Sequence, residues 1–269
     1  MKGQGIAIIA PMKACQLLLA CLALCAGLAE TRTGFAQANS PSAPAPSAVV
    51  TVPFVGCASD GQTGPVAAPT GKSAAVAIPA AMAKRLAYYK TEFPVGILAP
   101  RGWNCFSVYG SGGMELFVTP DPIDRDGLVS GDWKGFPGQV IQLSWDSGVT
   151  SGRFEVAKVI ARVFPEFKAF AQSVIAEGGE PASDFPSGPY PSDKLTYRGK
   201  SVVEFETAAN AQGLGTDSRL LMNANPINGV AIVTGDTDLT LLAARVPTTD
   251  SDLIPAIIAQ VESEAASSY

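Results

Sequence analysis

The sequence predicts an α+β fold, with a mostly antiparallel sheet and helices packed against it. Its 47% hydrophobic and 16% charged residues are typical of a globular protein. Short runs of β-branched and aromatic residues alternate with Gly- and Pro-containing turns, which is the pattern of strands joined by tight connections. Segments with helical spacing separate these runs into groups, and this order favours helices packed on an antiparallel sheet.

The first half of the chain predicts one helix followed by strands. Pro79 suits the first position of a helix, and good helix formers continue from it to Lys90. Glycines at positions 110, 112 and 113 predict a hairpin between two of the strands that follow. The predicted strands are Gly96–Ala99, Cys105–Tyr109, Glu115–Thr119 and, after a loop over residues 120–138, Val140–Trp145.

The second half predicts two helices, a group of strands and a final helix. Apolar residues at helical spacing indicate helices over Arg153–Val163 and Glu166–Glu177, and Pro165 separates them. A last helix begins near Asp250. The strands between these helices are Leu195–Arg198 and Ser201–Thr207, which form a hairpin, and then Arg219–Met222, Val230–Thr234 and Leu239–Val246.

Residues 1–38 have the pattern of a signal peptide. Lys13 precedes an apolar run of about 16 residues, shorter than the ~20 that span a bilayer, and small residues surround Ala38. We expect cleavage near Ala38, with a cut after Ala29 as the alternative. Met12 is an alternative start to Met1, because Met12-Lys13-Ala14 would itself begin a compact signal peptide. The protein is then periplasmic or secreted, with no stable membrane insertion after cleavage. A lipoprotein anchored through Cys21 is the minor alternative.

The remaining chain divides into a linker and one domain. Residues 39–53 are rich in Pro, Ala and Ser and predict a disordered linker, and residues 54–269 predict a single α+β domain. The whole chain has a formal net charge of −5, and the predicted signal peptide carries more basic than acidic residues. The acidic balance disfavours a nucleic-acid partner.

Cys57 and Cys105 are the only cysteines outside the predicted signal peptide. Two cysteines in an exported protein most simply form a disulfide, so we predict this pair. Two buried free thiols are the alternative.

One stretch of the sequence resembles a known family. Ile97-Leu98-Ala99-Pro100-Arg101-Gly102-Trp103 is similar to the strand and Pro-x-Gly-Trp opening of Mog1/PsbP-like domains. The resemblance extends over residues 90–265 and implies an α/β/α sandwich that serves in binding or assembly, without shared catalytic residues. The whole chain also resembles exported proteins of Gram-negative bacteria, in which a Val-Gly-Cys-x-Ser-Asp-Gly-Gln motif, here beginning at Val55, precedes an Ala-Pro-Arg-Gly-Trp-x-Cys motif, here beginning at Ala99. That resemblance implies no particular activity.

The sequence contains no histidine, which excludes several chemistries. Ser-His-Asp and Cys-His catalysis and zinc sites with His ligands all require it. We therefore assign no catalytic residue, no cofactor and no metal site.

Paired carboxylates are the catalytic groups that remain. Glu204 and Glu206 are two residues apart on a predicted strand and point to the same face. Either residue, facing Glu115 or Asp236 across a cleft, would form the carboxylate pair of a glycan hydrolase. The ordinary interpretation is that both lie on the hydrated face of an amphipathic strand.

Three further residues are candidate ligand contacts. Arg101 and Arg219 could bind an anion, and Trp103 could form a ligand platform, although packing near the disulfide is its ordinary role. Together these observations favour a non-catalytic binding or scaffolding module of the bacterial envelope, whose partner is an envelope protein or a small ligand. The alternatives are a carboxylate-based hydrolase acting on envelope glycans and a purely structural component.

Overall fold

The computed structural model describes residues 48–130, 133–235 and 237–267, which belong to one compact unit. The predicted signal peptide, its cleavage site and most of the linker lie outside the described residues. Residues 48–53 were expected in a disordered linker, and this was wrong, because they begin the first strand. These residues pair antiparallel with the strand Ser73–Ile78, which was not predicted from the sequence either.

The fold is α+β, as predicted, with twelve strands and four α-helices among the described residues. The strands are β1 (Ala48–Gly56), β2 (Ser59–Gly61), β3 (Ser73–Ile78), β4 (Leu86–Lys90), β5 (Gly96–Pro100), β6 (Asn104–Tyr109), β7 (Gly113–Thr119), β8 (Val140–Asp146), β9 (Asp193–Tyr197), β10 (Val202–Thr207), β11 (Ile227–Thr234) and β12 (Asp238–Arg245). The helices are α1 (Arg125–Ser130), α2 (Arg153–Val163), α3 (Lys168–Glu177) and α4 (Ile254–Ser267).

The strands form two sheets. The large sheet has eight strands in the order β2-β6-β7-β8-β12-β11-β10-β9, and all pairs except the parallel β2–β6 pair are antiparallel. The small sheet has the order β3-β1-β4-β5, with β1 and β4 parallel. The predicted mostly antiparallel arrangement is therefore confirmed.

Each face of the large sheet has its own hydrophobic core. On one face, residues such as Leu116 and Leu143 pack against α4 and the small sheet. On the other face, Phe117 and Phe205 pack with the apolar sides of α2 and α3. Side chains alternate along each strand, so the burial of one set of residues fixes which neighbours face the opposite layer. This alternation therefore decides which polar side chains of neighbouring strands lie together on one face of the large sheet.

The predicted disulfide between Cys57 and Cys105 is present, with 5.4 Å between the two Cα atoms. Cys57 follows β1 of the small sheet and precedes β2 of the large sheet, and Cys105 lies on β6. The bond therefore ties together the two sheets at the point where the chain crosses between them. A disulfide is compatible with an extracytoplasmic location. Among the described residues, no helix is long and apolar enough to cross a membrane.

Three predictions of secondary structure were wrong. The helix predicted from Pro79 is a short 3₁₀ turn, Met82–Lys84, followed by strand β4, because Tyr88 and Tyr89 pair with both β1 and β5. The strand predicted over Arg219–Met222 is an extended segment with a single bridge between Leu220 and Phe136. The loop predicted over residues 120–138 contains α1.

The remaining predictions agree with the structure within a few residues. Helix α2 has the predicted bounds, and the hairpins β6–β7 and β9–β10 form as expected. The last helix is preceded by a 3₁₀ segment, Thr248–Leu253, so its α-helical part begins later than predicted.

Candidate functional site

A cavity of about 620 Å³ lies between the large sheet and α2. Its floor is formed by β6, β7, β8 and β12, and its walls by α2, the loop after α3 and the segment around Ser218. Five carboxylates, three basic side chains and several apolar side chains line it. The carboxylates are Glu115, Asp146, Glu155, Asp184 and Asp217, and the basic residues are Lys158, Arg162 and Arg219.

The register of β7 and β8 brings Glu115 and Asp146 to the floor of the cavity. Glu115 lies opposite Ser144, and Gly113 lies opposite Asp146, so the two carboxylates are diagonal neighbours on one face. A Cβ atom at Gly113 would lie 2.0 Å from the carbonyl oxygen of Trp145 and 2.9 Å from Oδ1 of Asp146. Only glycine therefore fits at position 113, and its missing side chain leaves the Asp146 carboxyl uncovered.

Glu115 is held by a hydrogen-bond network on the floor. Its Oε2 lies 3.3 Å from Nε of Arg219, and its Oε1 accepts a hydrogen bond of 3.0 Å from Nε2 of Gln142. The buried Gln142 amide also donates to Oγ of Ser144, and its Oε1 accepts from the backbone N–H of Arg219. Burial raises the pKa of Glu115, and the nearby Arg219 charge opposes that shift. This network fixes the Glu115 carboxyl in one position.

Asp146 is in a different electrostatic environment. Burial raises the pKa of its carboxyl from 3.8 to about 7, and the negative charges of Glu115 and Glu155 add to the effect. Within the described part of the chain, Asp146 makes no hydrogen bond or ion pair that would offset this. The site therefore presents a carboxyl group that titrates near neutral pH in a protein without histidine.

The basic residues of the wall already have partners. Nζ of Lys158 lies 2.7 Å from Oε1 of Glu155 and 3.0 Å from Oε2 of Glu180. The Arg162 guanidinium stacks over the Tyr190 ring at 3.8 Å and donates a hydrogen bond to the Gly188 carbonyl. These contacts attach the loop after α3 to helix α2 and give that wall a defined shape.

Tyr190 and Asp217 connect this loop to the segment that carries Arg219. The Tyr190 hydroxyl donates a hydrogen bond of 2.7 Å to Oδ1 of Asp217. Burial and this hydrogen bond raise the pKa of Tyr190 to about 12, and burial also raises the pKa of Asp217. The tyrosine therefore stays protonated at neutral pH and acts as a fixed donor.

Glu204 and Glu206 do not join this cavity. They lie on the opposite face of the large sheet, in a second groove of about 510 Å³ beside α4. Glu204 forms an ion pair of 2.6 Å with the exposed Arg198, and Glu206 is exposed opposite Lys194 on β9. The burial of the intervening Val203 and Phe205 supports the interpretation that Glu204 and Glu206 lie on the hydrated face of an amphipathic strand. Neither Glu204 nor Glu206 faces Glu115 across a cleft.

Arg101 and Trp103 lie in the turn between β5 and β6, outside the residues that line the cavity and the groove. The Arg101 guanidinium donates to the carbonyl oxygens of Leu86 and Ala83. The Trp103 backbone N–H donates to the Tyr89 hydroxyl, and its ring packs in the same core as the disulfide. These contacts hold the turn in place, and ligand binding by Arg101 and Trp103 stays a prediction.

Of the candidates selected from the sequence, Glu115 and Arg219 line the cavity, and Asp146 was not among them. It did note the carboxylates and the absence of histidine, but pairing Asp146 with Glu115 required the register of β7 and β8. Asp236, the other expected partner, lies outside the described residues. In the part of the chain that the structure describes, no three His, Cys, Asp or Glu side chains are grouped to hold a metal ion.

No family model, no curated protein and no solved structure matches the chain. The resemblance to Mog1/PsbP-like domains and to exported proteins of Gram-negative bacteria stays a prediction. The cavity geometry is the observation from which a function can be inferred.

Proposed function

We propose that this protein is an exported, non-catalytic binding module of the bacterial envelope, and that the cavity beneath α2 takes a small polar ligand. The single observation that carries the proposal is the Asp146 carboxyl, which is half-buried, has no partner among the described residues and faces the cavity. An unpartnered buried carboxyl is costly for a folded protein. A ligand that supplies the missing partner would offset that cost.

The cavity has the size and lining of a small-molecule site. Its volume of about 620 Å³ falls within the usual range of 300–1,000 Å³, and polar groups converge among apolar side chains in its lining. The Gln142 network and the Arg162–Tyr190 stack hold the lining side chains before any ligand arrives. Such preorganisation lowers the entropy lost on binding. These features support a small ligand over an envelope protein as the partner.

A defined library of small envelope metabolites, with amines, amino acids, polyols, sugars and carboxylic acids, tests the proposal by thermal shift. We expect at least one chemical class to raise the Tm of the wild-type chain and to lose that effect in Asp146→Asn. The matched control is Asp126→Asn, an exposed aspartate on α1 outside the cavity lining, which should keep it. Equal stabilisation of all three proteins would place the ligand elsewhere, and no stabilisation by any class would contradict the proposal.

The alternative is a carboxylate hydrolase of envelope glycans, and one observation favours it. A carboxyl with a pKa of about 7 suits a general acid, and Glu115 is a second carboxyl nearby. However, both Glu115 oxygens already have partners, and Glu115 and Asp146 share one sheet face rather than opposing each other across a cleft. This geometry favours binding over catalysis.

Peptidoglycan and purified glycan strands distinguish the two functions. The binding proposal predicts no release of reducing ends by the wild-type chain. Turnover that disappears in both Asp146→Asn and Glu115→Gln, but persists in the opposite-face variant Glu206→Gln, would establish the hydrolase and overturn the non-catalytic proposal.

A further inference from the structure

The charges of the cavity lining define the ligand more narrowly than its polarity does. Five carboxylates and three basic groups line the cavity, so the lining carries more acidic than basic groups. Arg219 is paired with Glu115, and Lys158 is paired with Glu155 and Glu180. Arg162 is stacked on Tyr190. No basic side chain in the lining is therefore left without a contact to receive an anionic ligand.

Asp146 is the carboxylate of the lining that makes neither a hydrogen bond nor an ion pair within the described residues. Its carboxyl lies on the floor beside the gap at Gly113, where no side chain covers it. An anionic ligand would add repulsion at this point, and a neutral polyol would leave the carboxylate without a counter-charge. A ligand with an ammonium group would supply both the charge and the hydrogen-bond donors that the carboxylate lacks.

The rest of the lining is suited to an aliphatic chain. Apolar side chains from β6, α2 and β12 lie among the carboxylates, namely Val108, Val159, Leu239 and Leu241. Methylene groups gain free energy from contact with such surface. Further carboxylates, at Asp184 and Asp217, belong to the same lining. The lining therefore matches a chain of methylene groups with a cationic group at each end.

We propose that the cavity binds an aliphatic di- or polyamine, with one ammonium group on the Asp146 carboxylate and the methylene chain along the apolar side chains of the lining. This inference rests on the proposed function, since it names the ligand class of the same cavity. It requires Asp146 to be ionised in the complex.

A set of four-carbon compounds tests the charge requirement by isothermal titration calorimetry on the full chain. Putrescine, butane-1,4-diol and succinate have similar lengths but carry positive, zero and negative charge. We expect putrescine to bind roughly tenfold more tightly than either of the others at pH 8. Asp146→Asn should weaken putrescine binding by roughly tenfold or more, and Asp126→Asn should leave it unchanged.

The pH dependence gives a second readout. Asp146 shares the cavity lining with the charged or titratable side chains of the surrounding elements: Glu115, Glu155, Lys158, Arg162, Asp184, Tyr190, Asp217 and Arg219. Since its pKa is about 7, lowering the pH from 8 to 5.5 should weaken putrescine binding by roughly thirtyfold. Putrescine itself stays fully protonated over this range, and the Asp146→Asn variant should lose this dependence.

The outcomes separate this inference from the proposed function. Failure of putrescine, cadaverine and spermidine to bind, or tighter binding of succinate or butanediol, would overturn the polyamine inference. If another library class then stabilises the wild-type chain and not Asp146→Asn, the binding function stands. Putrescine binding that is equal in wild type and Asp146→Asn would show association with the acidic surface and would also overturn the inference.

Discussion

At the scale of single residues, the proposed binding function depends on the carboxyl group of Asp146. Glu115 could be selected from the sequence as a possible member of a carboxylate pair, and Arg219 as a possible anion contact. Asp146 could not, because an aspartate at the end of a predicted strand is usually solvated, and its raised pKa arises from burial that only the folded chain creates. Gly113 likewise appeared to be only a turn residue, whereas its role is to leave the Asp146 carboxyl uncovered.

The titration of Asp146 predicts how stability changes with pH. Its pKa of about 7 in the folded state exceeds the unfolded value of 3.8, so between these pH values the native state binds more protons than the unfolded state. The free energy of unfolding therefore falls as the pH rises from about 4 to about 7. We expect Asp146→Asn to gain stability relative to wild type by about 2–3 kcal/mol between pH 5 and pH 8. Urea unfolding at both pH values measures this difference. For the exposed control Asp126→Asn, we expect the same difference in unfolding free energy from wild type at both pH values. The same result for Asp146→Asn would show that Asp146 is not buried.

At the scale of secondary-structure elements, local propensity failed where tertiary pairing decided the outcome. The residues from Pro79 favour a helix by composition, but the apolar residues of β4 pair on both sides within the small sheet. By contrast, α2 matched its prediction because its apolar residues recur at helical spacing and face a single core. Prediction therefore succeeded for elements in which the spacing of apolar residues matches the face that the fold buries.

Helix α4 protects the free edge of the small sheet, which no sequence pattern indicates. Oε1 of Gln260 accepts a hydrogen bond from the Leu98 N–H, and its Nε2 donates to the Gly96 carbonyl. Oε2 of Glu264, one helical turn later, accepts from the Gly96 N–H. These three backbone groups of β5 are therefore satisfied by side chains, which hinders association of this edge with other strands.

Substitution of Gln260 tests this contact between elements. Gln260→Ala leaves the buried Leu98 N–H without its partner, and we expect a loss of about 2 kcal/mol in the free energy of unfolding. The matched control is Gln172→Ala on α3, where the glutamine is exposed and the change in helix propensity is the same. Similar urea midpoints for the two variants would contradict a role for Gln260 at this edge.

At the scale of the whole molecule, the fold class and the disulfide could be predicted from the sequence, but the division of the strands into two sheets could not. Strand patterns and tight turns were enough to predict an antiparallel sheet, and the cysteine count was enough to predict the bond between Cys57 and Cys105. The assignment of strands to two sheets depends on long-range pairing of β1 with β3 and β4. The register from β7 through β8, β12 and β11 to β10 decides that Glu204 and Glu206 lie on the face opposite Glu115.

The disulfide should contribute strongly to global stability. It closes a loop with a sequence separation of 48, for which the chain-entropy model gives about 4 kcal/mol. We expect the Cys57→Ala/Cys105→Ala variant to lose about this amount in urea unfolding, and reduction of the wild type with a phosphine to give the same loss. A change below about 1 kcal/mol would indicate that other contacts already hold the two sheets together.

The most direct test of the central claim is an amide NMR titration of the chain with the library compound that raises its Tm most. The account predicts chemical-shift changes at residues that line the cavity, among them Gly113, Ser144 and Ser218, and their loss in Asp146→Asn. Changes confined to Thr196, Glu206 and Asn228 would place the ligand in the groove on the opposite face and contradict the assignment of the cavity as the functional site.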